Sequence, residues 1–425
     1  MRRRITAVLV LAAAMRLVWI WLVPNEQYSD SVWYDAAAWN LAAHGVYGPT
    51  VPSAWFPPGY PLLLTAIYTF VGHNQFVGKL ANVVLGVAAT GCVYLLARLF
   101  LSEAVALVSA LLVAIWPNLI FTTGILGSDL LPVWGFVACM WLGMRRAKIT
   151  WPIAILLGVL VGWMILARPV SGILVLALAL WWWLSTRSLR PVVPVALVAA
   201  ALVGTWTLRN YVELHQPILI ATNGGYNFWQ TNQRYADGND TYWSVVPMDD
   251  PEYHTMYYGD EFTKNSAGYR YGIAFLEAHP LHPVQMLPTK LFWLYHTDTS
   301  GFYEGVYEAP MHGPSPLADF IRAHSERIES LTFRYYEALL LLAGAGIVIS
   351  FVRGRPNWLW PLLSLPLLLT FFHLFFHAKD RFHMPLDGII AIFAAVALVE
   401  LWHLVRLVAM KRVRVGSTRF LATRV

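Results

Sequence analysis

Hydrophobic residues in this chain do not alternate, nor do they line one face of short helices; they run in long stretches from one end to the other. A helix crossing the hydrocarbon layer needs about 20 mostly apolar residues. Ten stretches approach that length: 5–23, 76–99, 102–121, 128–144, 152–168, 169–186, 191–208, 332–352, 357–376 and 384–407. The segment Pro57–Gly72 is apolar but has only sixteen residues, with three prolines near its start. It reads as re-entrant or interfacial rather than as a crossing. The first stretch follows Arg2, Arg3 and Arg4, carries Arg16 and reaches Val23 without a convincing small-residue cleavage site. It therefore reads as an uncleaved span, not a secretion signal. The pattern predicts an all-α polytopic membrane protein.

Composition agrees. Of 425 residues, 58% are hydrophobic and 13% charged, against about 25% charged in soluble domains. Such a chain cannot cover itself with polar surface, which excludes a soluble enzyme, a nucleic-acid module and a disordered tail. Cys92 and Cys139 both lie in apolar runs, where a free cysteine behaves as a small hydrophobe.

Cytoplasmic loops carry an excess of Lys and Arg, and this decides how Pro57–Gly72 is counted. If it does not cross, Arg2–Arg4, Arg98, Arg145, Arg146, Lys148, Arg187, Arg190, Arg353, Arg355 and the tail from Lys411 to Arg424 share one side. If it crosses, the cluster from Arg145 to Lys148 moves to the other. Ten spans with both ends in the cytoplasm is the better topology. It divides the chain into a transmembrane module over 1–208 with a first outer loop at 24–72, an outer-face loop over 209–331, and C-terminal helices with a basic tail over 332–425. The segment 209–331 holds fifteen of the 24 acidic residues, seven basic ones, and turn sequences at 223–225, 237–240 and 312–316. Amphipathic helices are expected there around Gly268–Ala278 and Pro283–Tyr295.

Charge at membrane depth is costly and so marks candidate function. Asp30, Asp35, Lys79, Asp129, Arg168, Arg209, Lys379, Asp380 and Arg381 all fall at or beside the outer ends of spans. Together they suit an anionic lipid head group held next to a carboxylate. Each also has a plainer explanation. Ser29 or Asp30 can cap a short helix predicted over Ser31–Ala43, and Asp129 can cap the fourth span. Asp35 reads as solvated, Arg168 and Arg209 as snorkelling to the interface, and Asp380–Arg381 as a pair. His373 and His377 have a spacing that can bind metal; without a third ligand, a structural pair is the better reading. Trp33, Trp55, Phe56, Tyr60, Tyr226 and Trp229 are candidates for a sugar-lining wall.

The order of SDSVWYDAAAWNLAAHG, FPPGYPLLLTAIY, LGSDLL, LARPVSG, TWTLRNY, ATNGGYNFW and DRFHMPLDGIIAIFAA resembles the GT-C membrane glycosyltransferases. The likeness is to the protein O-mannosyltransferase and lipid A aminoarabinose transferase superfamily in its bacterial branch, and it covers nearly the whole chain. It implies a transferase in the bacterial inner membrane with its site facing outwards, and inverting transfer with a carboxylate base is the leading mechanistic expectation. Such an enzyme takes sugar from a polyprenyl-phosphate donor and passes it to an envelope glycan, lipid or protein, with no nucleic-acid partner.

The resemblance implies roles residue by residue. Asp30 matches the family's catalytic or acceptor-orienting carboxylate, although Ser31 follows it where many members have an Asp-Glu pair. Asp129 matches the acidic residue of the second outer loop, and Lys79, Arg168 and Arg381 match positions near the donor phosphate. Arg209 and Asn210 match an Arg-Asn dipeptide. Asp35, Tyr60, Arg209, Asn223 and His383 are candidate substrate-lining residues. No cofactor and no resident metal site are expected, although a divalent cation near Asp30 and Asp129 is compatible. Acceptor recognition is expected to rest on 209–331, since no large soluble domain follows the last span. Two alternatives stay open: a flippase for a lipid-linked sugar, and a glycan ligase or polymerase using a pyrophosphate carrier.

Overall fold

The computed structural model describes residues 2–145, 149–239, 245–308, 315–354 and 356–422, with the side chains of Arg2, Ala409 and 411–422 left out of account. Arg146, Lys148, Arg355, the charged tail and most of the 312–316 turn lie outside the described residues or side chains. The chain opens with α1 (Arg2–Leu22), α2 (Asp30–His44) and α3 (Gly59–Val71). It continues through α4 (Gln75–Arg98), α5 (Glu103–Ala114), α6 (Pro117–Phe121), α7 (Leu130–Met144), α8 (Trp151–Ala167), α9 (Ile173–Thr186) and α10 (Val192–Leu214). The predicted outer segment contains α11 (Asn223–Thr231), α12 (Tyr253–Tyr258), α13 (Glu261–Ala278), α14 (His282–Gln285) and α15 (Leu287–Tyr295). It ends with α16 (Ser300–Phe302), a π-helical turn at Tyr303–Glu308 and α17 (Pro316–Ala323), before α18 (Ser325–Val352), α19 (Leu359–His373) and α20 (Asp387–Ala422). No strand occurs among the described residues.

Among the described residues, six helical stretches are long and apolar enough to cross a membrane: Arg3–Leu22, Gln75–Arg98, Pro169–Thr186, Val192–Leu214, Ser325–Val352 and Met384–Val408. The chain is a multi-pass membrane protein. Three other predicted spans appear as the shorter helices α7, α8 and α19. The expected span 102–121 is broken, with α5 and α6 meeting at 54°. Pro117 explains the break, since it has no amide hydrogen and its ring clashes with the preceding turn.

The break leaves the last carbonyls of α5 without helical partners, and Arg16 answers them. Its guanidinium is fully buried and donates to Ala114 O at 3.1 Å and Val113 O at 3.2 Å. This is why a cation sits inside the first apolar stretch.

The helix α3 begins and ends at the same end of the bundle. Gly59 packs on the backbone of Ala167, at the close of α8, and Tyr68 Oη bonds Asp35 in α2. Thirteen residues reach only about 20 Å at 1.5 Å per residue, and these two contacts hold α3 against that end. Counting α3 this way makes the long helices alternate in direction. The close of α1, α6, α8, α10 and α19 and the start of α4, α7 and α20 then meet at one end, where the outer segment also packs. At the helix crossing of α18 and α20, a side chain on Gly346 would run into the Phe393 backbone.

Candidate active site

The lead from α1 into α2 sets the first carboxylate. Ser29 adopts φ 51°, a conformation that costs a non-glycine residue roughly 1–3 kcal/mol. It is held by its neighbours: Tyr28 N donates to Ser31 Oγ at 2.9 Å, and Ser31 Oγ donates to Tyr28 O at 2.6 Å. The helix then begins with Asp30 itself, and Ser29 makes no side-chain cap. Capping does not explain Asp30, whose Oδ2 instead accepts from Arg381 Nη2 at 3.1 Å.

Arg381 lies in a short turn before α20 and bridges two carboxylates. Its other terminal nitrogen, Nη1, donates to Glu304 Oε1 at 3.1 Å. Asp380 does not pair with this guanidinium. Its carboxylate accepts from the backbone amides of Thr299 at 3.1 Å, Ser300 at 3.0 Å and Arg381 at 2.9 Å, tying the outer segment to the turn.

Asp129 precedes α7 without capping it, and its carboxylate binds Arg168. Arg168 is therefore not a snorkelling residue. Its Nη1 also donates to Arg381 O at 3.4 Å, and the Phe382 ring lies 5.5 Å from the Arg168 guanidinium and 5.7 Å from that of Arg381. Two guanidiniums, holding three carboxylates between them, thus share one aromatic spacer.

Burial alone would make the Arg381 guanidinium easier to deprotonate, but Glu304, Asp30 and Asp129 outweigh it and hold its pKa above the usual value. Burial pushes the Glu304 carboxyl up to about 7, although Arg381 pulls it down.

These groups line a cavity of about 820 Å³, within the usual size range of ligand sites, about 300–1,000 Å³. Its wall carries Asp30, Asp129, Arg168, Lys379, Arg381 and Glu304 at one side, and Trp55, Phe56, Asn223, Tyr226, Lys264 and Tyr269 at another. Val170, Leu219, Phe372 and Phe376 add an apolar stretch, and His373 and His377 also face it. The two histidines form a structural pair in which the His373 Nδ1–H donates to His377 O at 2.7 Å.

The aromatic wall is built by a clamp. Arg209 donates to Ser53 O at 3.0 Å and Tyr47 O at 3.1 Å, and its guanidinium lies over Trp206 and Tyr47. Glu261, in the first turn of α13, accepts from Ser53 Oγ, Ala54 N and Thr222 Oγ1. Together they pin the loop that presents Trp55 and Phe56 to the cavity. Arg209 is thus neither snorkelling nor among the lining residues, and Asn210 is fully buried, donating to Ile218 O and Ile220 O.

Several sequence candidates fall away from the cavity. Lys79 is buried and donates to Asn25 O at 2.7 Å and Asn25 Oδ1 at 3.0 Å, fastening the loop after α1. Asp35 is buried, not solvated, and accepts from Tyr68 Oη at 2.6 Å and Gln75 Nε2 at 2.7 Å, with His73 Nε2 at 2.9 Å. Tyr60 Oη is buried and donates to Asn82 Oδ1 at 3.0 Å. His383 is fully buried beneath Tyr336. None of the four is in the cavity wall, whereas Asp30, Asp129, Arg168, Arg381 and Asn223 are.

Glu304 was missed. It sits in the π-helical turn at Tyr303–Glu308, a rare geometry that often marks functional sites. Nothing in its local sequence separates it from the other acidic residues of 209–331.

Residues 56–208 match the family model described as dolichyl-phosphate-mannose-protein mannosyltransferase. No curated protein sequence matches the chain. Among solved structures, the oligosaccharyltransferase of Archaeoglobus fulgidus in its apo form is 14% identical with a TM-score of 0.55, over 97% of this chain and 52% of that chain. The same enzyme in complex with an inhibitory peptide and a dolichol-phosphate gives 14% identity and a TM-score of 0.51, over 97% and 52%. ArnT from Cupriavidus metallidurans bound to undecaprenyl phosphate is 15% identical over 92% of this chain and 78% of that chain, with a TM-score of 0.41.

The chain spans about half the length of the oligosaccharyltransferase chains it matches. Its fold is that of the GT-C membrane glycosyltransferases, the class its sequence resembles.

Proposed function

We propose that the cavity is the active site of a glycosyltransferase that takes a sugar from a polyprenyl-phosphate donor and passes it to an acceptor hydroxyl. The observation that carries this reading is the pairing of Arg168 and Arg381 about Phe382 beside three carboxylates at the end of the bundle. The guanidiniums supply planar, always-charged donors matched to phosphate oxygens. The apolar stretch of the wall offers a path for the lipid tail. The matched family description and the likeness to an enzyme captured with dolichol-phosphate support the same donor chemistry.

On this reading the donor phosphate takes Arg381 from Asp30, leaving that carboxylate to act as base. The acceptor O–H proton passes to Asp30, the acceptor oxygen bonds the anomeric carbon, and the bond from that carbon to phosphate oxygen breaks. The electron pair leaves on the phosphate, where Arg381, Arg168 and Lys379 stabilise the developing charge. Inversion requires the donor to sit with its anomeric carbon between Asp30 and the departing phosphate, so that base and leaving group act on opposite faces of the sugar. Asp129 holds Arg168 in place, and the wall at Trp55 and Tyr226 receives the acceptor. The site faces away from the basic loops at Arg98, Arg187 and Arg353, which supports a reading with the site on the outer side of the membrane.

The test is label release from a panel of radiolabelled polyprenyl-phosphate sugars by purified protein in lipid, wild type beside Asp30→Asn. Release by wild type alone supports the assignment; binding without release under every acceptor, or label that merely crosses the bilayer, would sink it. The likeness to an oligosaccharyltransferase favours one second reading, transfer of a longer glycan from a pyrophosphate carrier. Release from pyrophosphate-linked glycans but not from the monophosphate sugars would select it.

A further inference from the structure

Behind the cavity, three side chains from two parts of the chain converge. Asp298 lies between α15 and α16, His383 lies in the turn before α20, and Asp387 is the first residue of α20. All three are fully buried, and one ligand atom from each lies within 4.8 Å of the others. His383 Nε2 is 3.6 Å from Asp387 Oδ1 and 3.8 Å from Asp298 Oδ1. Those separations are too long for hydrogen bonds. They suit ligands of one ion, each about 2.0–2.2 Å from it.

Two further observations point to an occupant. His383 Nε2 and both Asp387 carboxylate oxygens have no hydrogen-bond partner, although buried polar groups are almost always satisfied. The groups behind them are arranged as metal ligands are usually supported. The His383 Nδ1–H donates to Leu294 O, which turns the Nε2 lone pair towards the two aspartates. Trp116 Nε1 and Asn118 Nδ2 donate to the two oxygens of Asp298 and fix that carboxylate. The Tyr336 ring stacks on His383 at 4.8 Å and closes the site on another side.

We propose that Asp298, His383 and Asp387 bind a structural divalent cation of the first transition row, zinc or manganese. One imidazole and two carboxylates form a nitrogen–oxygen set suited to either, and the ion would balance two negative charges in a buried place. The site is closed and does not open on the cavity, so its role is to clip the outer segment to the head of α20. From Asp298 the chain runs directly through Thr299 and Ser300, which bind Asp380, to Glu304 beside Arg381. The clip therefore fixes the distance across which Arg381 bridges its carboxylates. It is distinct from a cation held by Asp30 and Asp129, and it does not depend on the proposed reaction.

The test is the metal content of the purified full-length protein in detergent, measured by elemental mass spectrometry, with the melting temperature read in parallel. Wild type and Asp30→Asn should each retain about one zinc or manganese per chain, as a preformed buried site would, and Asp387→Asn should retain none. Chelator should lower the wild-type melting temperature and either metal ion should restore it, while Asp387→Asn should respond to neither. Should Asp387→Asn fail to fold, wild type stripped and refilled with cobalt should show visible absorption of a nitrogen–oxygen site. Metal-free wild type that responds to neither chelator nor added ions, metal retained by Asp387→Asn, or stripped protein that takes up no cobalt would overturn the proposal.

Discussion

Replacing Arg381 with lysine keeps the charge and removes the fork, so it isolates what the geometry contributes. The two terminal nitrogens of Arg381 reach two different carboxylates, Asp30 and Glu304, each at 3.1 Å. A lysine ammonium is a single point on a flexible stem and cannot reproduce both contacts together with the spacing to Phe382. One charge-assisted hydrogen bond is lost, worth about 1.5–3 kcal/mol. At about 1.4 kcal/mol per factor of ten, turnover should fall roughly 10- to 100-fold. The same loss should weaken donor binding, because a single ammonium would have to serve Glu304 and the phosphate without a fixed fork. The assay is label release from a radiolabelled polyprenyl-phosphate sugar in lipid nanodiscs, with thermal unfolding measured on the same preparation. Arg168→Lys serves as the parallel case, since Asp129 holds its guanidinium. An Arg381→Lys protein that keeps its melting temperature and turns over within about threefold of wild type would refute the forked geometry as the source of phosphate recognition.

Glu304 gives a pH test. Its carboxyl is raised to about 7 from an ordinary 4.5, so its contribution to stability is complete below about 4.5 and is lost as pH rises through about 7. Wild type should unfold at a lower temperature at pH 8 than at pH 6, and Glu304→Gln should flatten that difference; an unchanged slope would remove Glu304 as its cause. Arg16→Met should remove the side-chain donor from Ala114 O and Val113 O at a total cost of about 1–3 kcal/mol, seen as a lower melting temperature with donor affinity retained by the folded protein. Lys79→Met should likewise cost stability by releasing Asn25, and donor titration should show unchanged affinity, whereas a phosphate ligand at Lys79 would show a clear loss.

The apolar runs located the helices because a membrane span is a statement about length and composition, and α1, α4, α10, α18 and α20 all fall on predicted stretches. The bend between α5 and α6 was less legible. Pro117 was visible, but the sequence does not say whether a proline kinks a span or ends it. Within the site, Asp30, Asp129, Arg168 and Arg381 could be anticipated because each places charge at the end of an apolar run. Lys79 and Asp35 obey the same rule yet bind their own loops, since a charge at a helix end serves packing as readily as chemistry. Glu304 lay beyond reach for the opposite reason: in a segment rich in acidic residues, a carboxylate becomes notable only when the fold sets it beside Arg381.

The pairing also explains how a site proposed to bind an anion tolerates its own carboxylates. Arg381 is occupied by Asp30 and Glu304 in the resting protein, so a donor phosphate has to compete for it. If Asp30 is the base, that competition arms it, because the carboxylate loses its cation only when the donor is in place. Asp30→Asn removes a competitor for the guanidinium and should bind the polyprenyl-phosphate sugar more tightly than wild type while failing to turn it over. A residue that merely held the loop after α1 would, when changed, lose binding and turnover together with stability. Equilibrium binding of labelled donor to wild type and Asp30→Asn in nanodiscs separates the two cases, and weaker binding by the folded variant would rule out the release of Asp30 by phosphate.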